Sequence, residues 1–167
     1  MTARSIAVAS LVAVAAAAGG LAGSRLLRRA PTDEERVRRV FEDAARAAEE
    51  RRVGDVMEAV SPRFRGEGVD RDGLRRFVAF HALRGSWSAA VVLGSSVRLD
   101  GGAAEATVDV ALARGGGRPD LAAGRLPDDA SLQRIDARLE REDGTFRVVS
   151  ARWRPIGPAE ALAGPPP

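Results

Sequence analysis

Hydrophobic residues at helical spacing predict a long first helix from about residue 32 and a short second one. Thr32 and Glu35 have the spacing of a capping box, and apolar residues then recur every three or four positions, at Val37, Val40, Phe41, Ala44 and Ala48. Gly54 interrupts this pattern. A second helix is predicted from Asp55 to Val60, because the residue that precedes Pro62 disfavours helix.

A third helix is predicted after a loop at residues 61–70. Asp70 or Asp72 is the expected N-cap. One face of this helix carries apolar side chains at helical spacing together with the only histidine of the chain, namely Leu74, Phe77, Val78 and His81. His81 is therefore expected to point towards the core.

The second half of the chain alternates apolar and polar residues, which predicts four β-strands. The sequences DGG at 100–102 and DG at 143–144 are typical of hairpin turns. The residues expected on the buried sides of the first three strands are Val91, Leu93, Ser95, Val97 and Leu99, then Ala106, Val108, Val110 and Leu112, then Ile135, Ala137 and Leu139. Helices followed by a four-stranded antiparallel meander define an α+β fold, in which the helices pack on one face of a curved sheet around a cavity.

An uncharged apolar stretch of 18 residues, Ile6 to Gly23, precedes this domain. A signal anchor and a cleavable signal peptide both fit the stretch, since it just reaches membrane-spanning length and contains small residues suited to cleavage. The arginines that follow at 25, 28 and 29 favour the anchor. We expect residues 1–29 to attach a single-pass protein to the cell membrane, with a secreted or periplasmic protein as the alternative. The domain is expected at 30–156, and residues 157–167 are expected to be a disordered tail.

The charge distribution argues against nucleic-acid binding. The pI is 10.9, but the net charge is only +3, because arginine supplies all 26 basic side chains against 23 acidic ones. Acidic and basic residues are mixed along the chain and do not form the clustered basic surface that nucleic-acid binding requires. The chain has no cysteine and one histidine, so we expect neither a metal nor a cofactor.

Five residues are candidates for a ligand-binding site: His81, Trp87, Phe41, Trp153 and Asp109. A histidine can act as a base in a pocket, but a single one on an apolar helix face is more commonly a hydrogen-bonded structural group. The aromatic residues can line a pocket or fill the core. Asp109 and Asp136 could act as bases in a cavity, but they lie opposite the apolar sides of their strands, which favours a surface ladder of charges.

The stretches DEERVRRVFEDAARAAEERRVGDVMEAVSPRF and DGTFRVVSARW resemble the first helix and the final hairpin of the nuclear transport factor 2-like superfamily. It includes SnoaL-like cyclases, ketosteroid isomerases and limonene epoxide hydrolases, and the resemblance covers about residues 32–156. It implies a cone-shaped α+β domain. The isomerase tyrosine has no counterpart because the chain lacks tyrosine, and Arg134 and Asp136 have the hydrolase spacing without its second carboxylate.

The sequence therefore favours a membrane-anchored or exported non-catalytic module for binding or assembly, which forms a homodimer through its sheet. The alternative is a binder of a small apolar ligand, or a SnoaL-like isomerase, cyclase or hydrolase, that uses the cone pocket with His81 as its polar group. Because this fold carries many activities, the resemblance alone selects neither.

Overall fold

The computed structural model describes residues 29–85, 88–115, 117–120 and 123–167. The predicted membrane segment at 6–23 and the candidate Trp87 lie outside these ranges. Within them, no helix has both the length and the apolar character needed to cross a bilayer. Residues Asp33–Pro167 form one compact unit that contains the buried apolar core, so residues 30–167 are expected to fold as a separate domain.

Three helices precede most of the sheet, in the predicted order. They are α1 (Asp33–Glu49), α2 (Val53–Glu58) and α3 (Arg71–Leu83). Asp70 caps α3, since its side chain accepts a hydrogen bond from the Gly73 N–H. Arg71 then ties α3 to the preceding segment by donating to the backbone carbonyls of Met57 and Val60.

The described strands form one mixed sheet. They are β1 (Val60–Gly66), β2 (Ala89–Asp100), β3 (Ala103–Ala113), β4 (Ser131–Glu142) and β5 (Thr145–Pro155). Their order is β1-β5-β4-β3-β2, with β2 to β5 in an antiparallel meander and β1 parallel to β5 at one edge. The predicted α+β fold and its antiparallel meander are confirmed.

Strand β1 replaces part of the loop predicted at residues 61–70. Pro62 lowers the strand propensity of this stretch, but β1 is an edge strand, where proline is tolerated. Phe64 is fully buried and anchors the strand in the core. The helix predicted at 55–60 instead spans Val53–Glu58, because Val60 already pairs with Val148 of β5.

The core lies between the helices and one face of the sheet, which we call the inner face. Strands β3 and β4 contribute alternate residues to it, namely Ala104, Ala106, Val108, Val110, Ile135, Ala137 and Leu139. All of these except Ala104 are predicted positions, whereas Leu112, also predicted on this side, does not belong to this core cluster. Helix α1 covers them with Val37 and Phe41. The sequence candidate Phe41 therefore packs against the core.

Strand β2 departs from the predicted alternation. Its pairing with β3 shifts by one residue between Val92 and Gly94, and this bulge exchanges the two faces of the strand. Val92 and Val97 both pack against the core as a result, while Val91 pairs with Ala111, which belongs to a second cluster. The prediction that Val91 and Val97 share one side is wrong.

The C-terminal segment covers part of the opposite face of the sheet, which we call the outer face. Its helix α4 (Pro158–Ala163) buries Ala161 in a cluster with Ala111 and Leu132. Pro165 passes over β2, where a Cβ added at Gly94 would lie 3.1 Å from the proline Cδ. The sequence predicts disorder for 157–167, whereas this segment forms a helix held by contacts that its Gly- and Pro-rich composition does not reveal.

Candidate functional site

A cleft of 760 Å³ opens beside the N-terminal half of α3, and we call it the α3 cleft. Its walls are the end of β1, the loop that leads into α3, the first turns of α3 and one side chain of β5. Side chains that line it include the apolar residues Val69, Leu74, Phe77 and Trp153 and the arginines Arg65 and Arg76. Its volume lies within the range of small-molecule sites, about 300–1,000 Å³.

The loop between β1 and α3 is held by a backbone hydrogen bond and by glycines. The Gly66 N–H donates to the Val69 carbonyl at 2.8 Å. Gly68 has a φ of +70°, a conformation that favours glycine. A Cβ added at Gly73, in the first turn of α3, would lie 2.9 Å from the Val69 side chain. The loop is therefore built from residues that its close approach to the helix requires.

Trp153 supplies a large aromatic surface to the cleft. It pairs with Ile135 across β4 and β5, and Ile135 packs against the core, so Trp153 points to the inner face as well. Its side chain lies beyond the part of the core that α1 covers and is 38% exposed. Indole surface is therefore accessible to a ligand in the cleft.

Arg65 and Arg76 bring positive charge to the cleft. Among the described residues, neither guanidinium forms an ion pair with a carboxylate. Arg65 donates from Nη1 to the Phe64 carbonyl at 2.8 Å, which leaves its other donors for a ligand. The carboxylate in the lining belongs to Asp70, whose Oδ1 already accepts the Gly73 N–H.

The chemistry of these groups suits binding better than proton transfer. Arginine stays protonated and the tryptophan indole only donates hydrogen bonds, so neither can act as a base. Asp70 serves as the N-cap of α3. Within the ranges that the structure describes, no group of three or more acidic or histidine side chains could hold a metal ion.

His81 lies in α3 one turn after Phe77 and does not belong to the lining of the α3 cleft. Its half-buried ring makes edge contacts with Phe77 and Phe80, with ring centroids 4.5 and 5.4 Å apart. These contacts fit the structural interpretation of His81, and its role as the polar group of a pocket stays a prediction. Of the described sequence candidates, Trp153 alone lines this cleft.

Asp109 is fully buried and is not part of a surface ladder. Its carboxylate accepts two hydrogen bonds from Arg134, at 2.7 and 2.8 Å, and Arg134 is itself buried. Those hydrogen bonds hold the pKa of Arg134 above its usual range. The surface interpretation of Asp109 is wrong because the C-terminal segment covers this end of the outer face. Asp136 does lie at the surface, where it accepts a hydrogen bond from Thr107.

The buried pair continues into α4. Arg134 also donates to Glu160 at 2.9 Å and to the Gly164 carbonyl at 3.0 Å, and Arg154 donates to the same glutamate. The hydrogen bond from Arg154 is the main reason why the pKa of Glu160 is lowered. This network fastens the C-terminal segment to the outer face, on the side of the sheet opposite the cleft, and we interpret it as structural.

The sequence reasoning did not find Arg65, Arg76, Leu74 and Phe77 as parts of a site. The helical spacing predicts Leu74 and Phe77 on the buried face of α3, yet Phe77 is 50% exposed. A usable signal is the stretch RGEGVDRDG at 65–73, in which glycines and arginines surround a helix N-cap. Such a loop brings the backbone close to the helix and keeps guanidinium groups beside it.

Neither a protein-family model nor a curated protein matches the chain, but solved structures do. An NTF2-like protein of unknown function from Pseudomonas putida has a TM-score of 0.55 and 12% identity, over 70% of this chain and 82% of its own. A protein of the NTF2-like family from Streptomyces avermitilis, suggested to be a dehydratase, has a TM-score of 0.56 and 15% identity, over 73% and 94%. A protein from Xanthomonas campestris, suggested to be a calcium/calmodulin dependent protein kinase II association domain, has a TM-score of 0.56 and 13% identity, over 75% and 89%.

The suggested roles of these proteins differ from one another, so the likeness concerns architecture and not activity. What they share with this chain is a helical layer on the inner face of a curved sheet, the arrangement that the resemblance in the sequence implied. The chain has the nuclear transport factor 2 (NTF2)-like fold.

Proposed function

We propose that this chain is a non-catalytic NTF2-like module that binds a small ligand with an apolar body and a negatively charged group in the α3 cleft. The observation that carries the proposal is the combination of an apolar wall, which includes Phe77 and Trp153, with two arginines that form no ion pair with a described carboxylate.

The apolar wall of the cleft can bind the apolar body of the ligand, and its arginines can bind the negatively charged group. A flat apolar body can stack on the exposed indole of Trp153 and bury its surface against Val69 and Leu74. A carboxylate, sulfonate or phosphate can accept paired hydrogen bonds from the planar guanidinium of Arg65 or Arg76. A ligand that lacks the charge would leave both arginines without an anionic partner.

Catalysis has less support than binding. The ionisable groups of the lining are two arginines and the helix-capping Asp70, which do not form an acid–base pair. The alternative of an isomerase, cyclase or hydrolase that uses His81 is also weaker, because the His81 ring packs on Phe77 and Phe80 instead of lining the cleft.

Residues 30–167 are expected to bind anilinonaphthalene sulfonate, an apolar anion whose fluorescence increases in a nonpolar site. Arg76→Gln should weaken binding about tenfold, because a hydrogen bond to a charged group contributes roughly 1.5–3 kcal/mol. Trp153→Ala should also weaken binding by about tenfold, because the stacking surface is lost. Fluorescence titration of each variant measures the dissociation constant.

Arg152→Gln is the matched control for these substitutions. Arg152 precedes Trp153 but pairs with Asp136, so it lies on the outer face and should not affect the ligand. Thermal melting followed by circular dichroism shows whether each variant is folded. The cleft assignment is contradicted if the folded wild-type domain does not bind the probe, or if Arg76→Gln and Trp153→Ala bind it as the wild type does.

Two further parts of the proposal concern assembly. Membrane attachment through residues 6–23 is supported by the length of that apolar stretch and by the arginines that follow it.

Homodimerisation through the outer face is supported by exposed acidic residues, Glu105 and Asp136, beside the exposed arginines Arg138 and Arg152. Under two-fold symmetry the acids of one copy can face the arginines of the other.

Light scattering coupled to size-exclusion chromatography is expected to show residues 30–167 as a dimer. The double substitution Arg138→Glu with Arg152→Glu should give a monomer, because like charges would then meet across the interface. Arg38→Glu, at an exposed position of α1, is the control and should remain dimeric. A wild-type monomer at micromolar concentration would contradict this part of the proposal.

A further inference from the structure

The solvent side of α3 carries apolar residues at its C-terminal end. Phe80 and Leu83 are 49% and 87% exposed. Phe80 follows the buried Val78 by two positions, which places it about 200° further around the helix. A surface helix of a globular protein usually presents polar side chains in this direction. Two exposed apolar side chains at this position therefore indicate a contact site for another molecule or for a membrane.

Arginines flank these apolar residues. Arg76 and Arg84 lie four positions before and after Phe80, so the three side chains form one row along the helix. The Arg84 guanidinium lies over the Phe80 ring, 4.3 Å from its centroid. Within the described part of the chain, neither arginine forms an ion pair with a carboxylate. We call Arg76, Phe80, Leu83 and Arg84 the α3 ridge.

We propose that the α3 ridge docks on the surface of an anionic lipid bilayer. Phe80 and Leu83 enter the boundary between headgroups and acyl chains, while Arg84 and Arg76 bind lipid phosphates. This docking is a property of the folded domain and is separate from the segment at 6–23. The ridge shares Arg76 with the lining of the α3 cleft, whereas Phe80, Leu83 and Arg84 belong to the ridge alone.

Charge complementarity favours lipid over a second copy of the chain. In a two-fold dimer the ridge would meet itself, and four arginines would be brought together. The four ridge residues include no carboxylate. Asp72, one turn before Arg76 in the same row, is one acid against the two arginines of each copy, so such a contact would still be opposed by like charges. Anionic headgroups supply the charge that the ridge lacks.

Flotation of residues 30–167 with lipid vesicles tests the proposal. The domain should float with vesicles of phosphatidylcholine and phosphatidylglycerol and not with phosphatidylcholine alone, and added salt should weaken the binding. Phe80→Ser with Leu83→Ser should lower the partition coefficient about tenfold, because the apolar area that enters the bilayer is lost. Arg84→Gln should lower it several-fold. These three positions lie outside the cleft lining, so the ligand assay is unaffected by them.

Leu162→Ser is the matched control, since Leu162 is an exposed apolar residue of α4, at 66%, and should not change flotation. Melting curves establish that the ridge variants remain folded. The proposal is overturned if the wild type does not prefer anionic vesicles, or if the Phe80/Leu83 double variant floats as the wild type does. It is also overturned if that variant converts a dimer into a monomer without vesicles, because the ridge would then be an interface between copies.

Discussion

Arg134→Met is expected to lower the free energy of unfolding of residues 30–167 by about 3–5 kcal/mol, the typical cost of removing one partner of a buried ion pair. Asp109 is fully buried, and both of its carboxylate oxygens accept hydrogen bonds from Arg134. The variant therefore leaves a buried carboxylate without either bond. Urea denaturation at neutral pH, followed by circular dichroism, measures the change.

Asp109→Ala should cost less, about 2 kcal/mol, because Arg134 keeps Glu160 and the Gly164 carbonyl as partners. The double variant Asp109→Leu with Arg134→Met removes both charges and should stay within about 2 kcal/mol of the wild type. The structural interpretation fails if Arg134→Met is as stable as the wild type. An Asp109→Ala variant less stable than Arg134→Met would instead show that the C-terminal segment does not support the arginine.

The burial of Asp109 shows that alternation along a strand predicts which residues share a face but not whether that face is covered. Alternation along β3 correctly separates Val108 and Val110 from Thr107 and Asp109, because successive side chains of a strand point to opposite faces. Alternation does not say which segment covers each face. The outer face is covered near Asp109 by residues that follow β5, and the cluster there brings together Ala111 and Ala161, which are 50 positions apart in the sequence. Nothing local in GPAEALAGPPP predicts it.

The α3 cleft could be predicted only in part for a similar reason. An aromatic residue near the end of β5 was a reasonable candidate, and Trp153 does line the cleft. The other wall depends on β1, which pairs Gly66 with Ala151 and so carries the following loop towards Trp153. Because Pro62 is typical of a loop, the local pattern does not predict this edge strand and so does not bring Arg65 and Trp153 together. Sites assembled by long-range strand pairing escape local patterns.

Removal of residues 157–167 is expected to lower the free energy of unfolding by about 2.5 kcal/mol, since on the order of 100 Å² of apolar surface loses its cover at roughly 25 cal/mol per Å². The apolar surface belongs to the cluster around Ala111, Leu132 and Ala161. The deletion also removes Glu160 and the Gly164 carbonyl from Arg134. Urea denaturation of the shortened and complete domains, residues 30–156 and 30–167, measures the difference.

The pH dependence of stability distinguishes the contribution of the Glu160 carboxylate from the contribution of the apolar contacts of this segment. Hydrogen bonding from Arg154 lowers the pKa of Glu160 below its ordinary value of 4.5, so the ionised carboxylate stabilises the fold. That contribution is present above about pH 4.5 and is lost as the pH falls through the lowered pKa. Glu160→Gln should therefore be less stable than the wild type at neutral pH, and the difference should decrease as the pH falls through the lowered pKa.

The shortened domain should remain less stable than the wild type at neutral and at acidic pH, because the burial of Ala161 does not depend on charge. If it instead matches Glu160→Gln at every pH, the segment acts through its carboxylate alone. Equal stability of the shortened and complete domains at neutral pH would mean that α4 does not cover the outer face. The burial of Asp109, and with it the large effect expected for Arg134→Met, would then lose its physical basis. Both experiments therefore test whether the C-terminal segment covers Asp109 and Arg134 on the outer face.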